Sequence, residues 1–120
     1  MSNKKMILVA GPYRSGTGDD SNKIAANLQH MNQVALQVLQ AGFLPMVGEW
    51  IALSLIETAG STKIGDSVFT DIFHPVAIDL LANCDGVLRT GGASQGADQM
   101  VSLAKEMGKP VFTSVEQVRF

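Results

Sequence analysis

Apolar and polar positions follow two rhythms along this chain. Short continuous apolar runs alternate with longer stretches carrying an apolar residue every three or four positions. The first run, MILVA at 6–10, ends at Gly11 and predicts a strand buried on both faces. Residues 11–21 (GPYRSGTGDDS) form a loop rich in Gly, Ser and Asp, and either Asp20 or Ser21 supplies a cap for a long helix over about 23–41. Its apolar positions Ile24, Leu28, Met31, Val34 or Ala35, Val38 and Leu39 lie on one side, and Gly42 ends it. FLPMV at 43–47 predicts a second strand, which Pro45, lacking an N–H, assigns to the sheet edge.

EWIALSLIET at 49–58 predicts a second helix, apolar around much of its circumference, and AGSTKIGD at 59–66 a flexible loop. A third helix over about 67–83 carries Pro75 in its interior, which predicts a kink or break near Phe73. GVLRT at 86–90 is the third strand, and 91–94 is a loop. A helix follows over 95–107, with Met100, Leu103, Ala104 and Met107 on one side, before Gly108 stops it. PVFT at 110–113 closes the sheet, and 115–119 adds a last helical turn. Strands alternating with helices predict an α/β fold: a single three-layer domain over 1–120, flavodoxin- or Rossmann-like, with a small parallel sheet ordered about 2-1-3-4. In that order the direction of winding reverses between the first and third strands, and ligands bind outside their carboxyl ends. The loops at 11–18 and 91–96 follow those two strands, so they face each other across one crevice.

Bulk properties narrow the function. A chain of 120 residues with 46% apolar and 17% charged residues builds one compact core. A net charge of −2 argues against a nucleic-acid partner, which would call for a basic stripe. The apolar run after MSNKK is too short for a signal peptide or a membrane span. The lone Cys84 excludes an internal disulfide framework and reads as a small buried apolar residue. A cytoplasmic protein without a membrane partner is the expectation.

The two glycine-rich loops carry the candidate chemistry. Gly11 and Gly16 in the first, and Gly92 and Gly96 in the second, let backbone N–H groups approach an anion, and the helix beginning near 95 adds the positive end of its dipole. Ser94 both caps that helix and offers a hydroxyl, with Ser15 a second hydroxyl across the crevice. Arg14 supplies a planar donor fork, and Tyr13 a ring on which a base can stack. GPYRSG lacks the lysine of a Walker A loop, and no dinucleotide fingerprint opens a helix. His30 and His74 are too far apart for a helical metal pair, so neither metal nor cofactor is expected. His30 reads as a solvated helix residue. His74, beside Pro75, reads as a partner in a local hydrogen bond, with the crevice as its alternative.

AGPYRSG, the long helix after it, LLANCDGVLR and GASQGADQMVSLAKEMGKPV together resemble the nucleoside 2-deoxyribosyltransferase-like superfamily, which includes 2′-deoxynucleoside 5′-phosphate N-hydrolases. The resemblance implies a nucleotide or deoxynucleoside monophosphate as ligand, cleavage or exchange at the base–deoxyribose bond, and an assembly of two or more copies. It implies phosphate and sugar contacts from Gly11 and Arg14 in the first loop and from Ser94 and Gly96 in the second, and a structural role for Asp85. The family's nucleophilic Glu lies four residues beyond the Gly of the Ser-x-Gly turn, and Met100 stands there in this chain. Asp98, two residues earlier and about 200° round the helix, is the acid left nearby as catalytic candidate. Asp79 is a further acid in the preceding helix. GGASQGAD and GKPV also resemble nucleotide-binding proteins related to DNA-processing protein A and the cytokinin-activating phosphoribohydrolases. That second likeness implies a catalytically inert nucleotide-binding or sensor protein. The apolar 49–58 helix, with Trp50, Ile51, Leu53, Leu55 and Ile56, has two readings: packing within the chain, or a face for homodimer or larger assembly.

Overall fold

The computed structural model describes residues 4–120; the first three residues of the MSNKK stretch lie outside the described residues. The order along the chain is β1 (Met6–Ala10), α1 (Ser21–Gln40), β2 (Leu44–Val47), α2 (Gly48–Thr58), α3 (Ser67–Asn83), β3 (Gly86–Arg89), α4 (Gln95–Glu106), β4 (Val111–Phe112) and a 3-10 turn (Val115–Gln117). The four strands form one all-parallel sheet in the order β2-β1-β3-β4. Pro45 does lie on an edge strand, opposite Ile7.

Alternation within the buried strands sends side chains to opposite faces of the sheet. Ile7 and Val9 join Met31, Ala35 and Val38 of α1, together with Leu88, Phe112 and Val118. Leu8, Ala10 and Val87 join Leu81 and Cys84 at the end of α3, and Ala97, Met100 and Ala104 of α4. A third cluster, Ala52, Ile56 and Phe69, locks α2 against α3. Asp85 fastens the sheet's amino edge: its carboxylate accepts the Met6 N–H at 2.8 Å. Cys84 is 2% exposed, and burial pushes its thiol up to about 11, so it is an inert packing residue.

Of the two caps open to α1, Asp20 is the one used, accepting from the N–H groups of Asn22 and Lys23. One local expectation changes. The break expected near Phe73 does not occur, and α3 is helical across Pro75. Proline there removes one intrahelical bond, but the packing of α2 along α3 holds the helix together. Loop 59–66 is gathered around Asp66, whose carboxylate accepts from Ser61 Oγ, the N–H groups of Thr62 and Lys63, and the N–H of Phe69, where it caps α3. These bonds hold the Asp66 carboxyl below the usual range. Among the described residues no helix is long and apolar enough to cross a membrane.

Candidate active site

The loops after β1 and β3 meet, as the strand order requires. A side chain on Gly11 would strike the Thr90 carbonyl oxygen at 2.8 Å, so only glycine allows this approach. Gly91, at a φ of 80°, leaves no room beside Pro12. Next to this junction, at the carboxyl ends of β1 and β2, opens a cavity of about 440 Å³. That volume lies in the range of small-molecule sites.

One wall is the amino end of α4. Ser94 is 7% exposed, and its hydroxyl accepts the Ala97 N–H at 3.1 Å, a capping bond that fixes the first turn. The first intrahelical bond of α4 runs from Asp98 N–H to the Ser94 carbonyl, so the N–H groups of Gln95 and Gly96 precede the helical ladder. Both residues line the cavity.

A second wall is aromatic. Phe69 and Phe73 stack with centroids 4.9 Å apart, Tyr13 stacks on Phe73 at 5.8 Å, and His74 meets the Phe73 ring edge-on at 5.5 Å. Arg14 lies over Phe69 at 5.5 Å and donates two N–H groups to Asp19, each at 3.0 Å. The Gly65 backbone lies against the guanidinium, leaving no room for a side chain. Asp19 holds this pair from an unusual φ of 59°, braced by Thr17, whose hydroxyl bonds the Arg14 carbonyl and accepts the Asp19 N–H. The pair keeps the Asp19 carboxyl below its ordinary range.

Beneath these walls lies Glu49, a residue the sequence pattern did not single out. It follows Val47, which pairs with Val9 in β1, and Gly48, which packs on Ala77 of α3. Its Oε2 is sealed from solvent with no hydrogen-bond partner among the described residues. Burial pushes its carboxyl from 4.5 up to about 7, against a small opposing pull from its own backbone N–H. Tyr13 responds in kind: burial first, then the Glu49 charge, push its phenol up, while Arg14 pulls it down. Among the described residues lining the cavity, Glu49 is the sole carboxylic acid.

The candidates from sequence therefore divide. Gly11, Tyr13, Arg14, Ser15, Ser94 and Gly96 all line the cavity, as does His74. Gly16 and Gly92 lie outside its lining; the Gly92 carbonyl instead accepts from Arg89 at 2.7 Å. Asp98 is also off the cavity. It pairs with Arg89 Nε at 3.1 Å, with its side chain 70% exposed. The helical turn explains this: Ala97, Met100 and Ala104 form the inward face of α4, and Asp98 projects away from Met100. Met100 does occupy the cavity wall, at the position where the resemblance implies a Glu. Asp79 is exposed, and His30 bonds the Thr90 hydroxyl at 3.0 Å. No protein-family model and no curated protein sequence matches the chain.

Proposed function

We propose that the cavity binds a 2′-deoxynucleoside 5′-monophosphate or a close nucleotide relative, and that the protein cleaves or exchanges the bond between base and sugar. The observation that carries this reading is the pairing, in one cavity, of an anion-suited end with an aromatic wall and a largely buried carboxyl. Phosphate suits the amino end of α4, with its unpaired N–H groups and dipole, and Arg14 opposite. A planar base suits the Tyr13–Phe73–Phe69 stack. The sugar then spans the middle, near Met100 and Glu49.

Met100 favours a second reading, an inert nucleotide-binding protein, because a thioether cannot attack an anomeric carbon. Free-base release from a panel of deoxynucleoside 5′-monophosphates, followed by chromatography beside calorimetric binding, decides between them. Base release supports the enzyme; tight binding without release selects the inert binder; neither binding nor release overturns both. A cytoplasmic setting goes with this reading and suits a lone buried thiol. Assembly of two copies through the exposed Trp50, Ile51 and Leu55 of α2 belongs to it as well, and a monomer by light scattering at micromolar concentration overturns that part.

A further inference from the structure

We propose that Glu49 is the acid that protonates the departing base, which makes the substrates nucleotides whose base leaves as a neutral molecule only after gaining a proton. The inference rests on the nucleotide-cleaving reading above and adds the reacting group, its role and the class of base.

Geometry supports Glu49 over the alternatives. It lines the same cavity as the aromatic stack and the α4 turn, whereas Asp98 is turned away to Arg89. Its Oε2 has no donor to stabilise a negative charge, a poor setting for a standing carboxylate and a good one for a carboxylic acid. The titratable and charged groups lining the cavity with it are Tyr13 and Arg14 from the loop after β1, and His74 from α3. Ser94 and the α4 residues lining the cavity, Gln95 to Ala97 with Gln99 and Met100, are uncharged. Burial already favours the protonated form, and a phosphate in the same cavity adds a like charge that favours it further.

One carboxyl suffices for the balance of atoms. As the bond from C1′ to the base nitrogen breaks, its electron pair stays with that nitrogen, and the Glu49 carboxyl gives its proton to the base ring, for instance at N7 of a purine. The sugar carries the positive charge as an oxocarbenium ion. Water adds its oxygen to C1′, and its surplus proton returns to the Glu49 carboxylate. The products are the free base and the sugar phosphate, and the enzyme is restored without a covalent intermediate. Met100 beside the sugar is compatible with this route, which asks no nucleophile of α4.

The test compares wild type and Glu49→Gln on 2′-deoxyguanosine 5′-monophosphate and on its N7-methylated form, whose base already carries the positive charge that protonation would confer. Release is read by chromatography above the uncatalysed background, and binding by calorimetry. Loss of a general acid is expected to slow release from the unmethylated nucleotide by about 100-fold or more, with release from the methylated one and affinity for both held within about threefold. Wild-type release from the unmethylated nucleotide is expected to fall as pH rises through the Glu49 titration, and to stay flat for the methylated one. Equal slowing of both substrates overturns the acid role and makes Glu49 structural. Unchanged release from both overturns it while leaving the nucleotide-cleaving reading intact. No release by wild type from either nucleotide overturns both.

Discussion

Glu49 couples the proposed chemistry to the stability of the fold, and the coupling has a definite sign. Its carboxyl titrates near 4.5 in an open chain and at about 7 in the folded protein. The folded state therefore holds the proton more tightly, so Glu49's contribution is fully present below pH 4.5, declines as pH rises towards 7, and levels off above it. At about 1.4 kcal/mol per pH unit, that interval corresponds to at most about 3.5 kcal/mol. Water reaching the partly accessible side chain lowers the expected loss to about 1–3 kcal/mol. For a domain of this size this is a fall in Tm of roughly 3–18 °C. Glu49→Gln keeps the shape and removes the titration. Thermal melts of both proteins across this pH range give the answer by subtraction, because every other titrating group is common to both. Asp19 and Asp66 act outside the window: their carboxyls sit below 3.8, so their stabilisation is lost only in stronger acid. The expected result is a wild-type Tm that falls with pH relative to Glu49→Gln. Parallel curves would refute the buried carboxyl, with its unpartnered Oε2, on which the site rests.

Three further outcomes follow from the geometry. Gly11→Ala forces a methyl to within 2.8 Å of the Thr90 oxygen and is expected to cost about 1–3 kcal/mol in urea unfolding, with weaker nucleotide binding because both loops shift. Asp98→Asn is expected to leave base release within about twofold and stability within about 1 kcal/mol, since its partner Arg89 is met at the surface. Arg14→Ala is expected to weaken calorimetric affinity for a nucleotide by about tenfold or more while leaving the unphosphorylated nucleoside nearly unaffected.

The fold was legible because burial writes itself into periodicity. MILVA and GVLR are continuous apolar runs since the sheet is covered on both faces, and the helical spacing in 23–41 marks the side of α1 that meets it. Strand order then brought the two glycine loops together, and Gly11 against Thr90 records their contact. The acid was not legible. Glu49 stands in the first turn of a helix, where an acidic residue ordinarily faces water and offsets the dipole. Its neighbour Gly48 lies against Ala77 of α3, a contact between elements that no local pattern reveals. The available signal was its place at the carboxyl end of β2, on the same sheet edge as the two loops, and as a lone charge between Met46–Val47 and Trp50–Ile51. Asp98 drew attention instead because it lies close in sequence to the Ser94 turn, but the pitch of α4 delivers it to Arg89.

A crystal structure of the protein grown with a 2′-deoxynucleoside 5′-monophosphate tests the site most directly. The expected density puts phosphate on the N–H groups of Gln95 and Gly96 within reach of Arg14, the base along Tyr13 and Phe73, and the base end of the glycosidic bond within hydrogen-bond distance of the Glu49 carboxyl. A nucleotide bound elsewhere, or one in this cavity with its base turned away from Glu49, would contradict it.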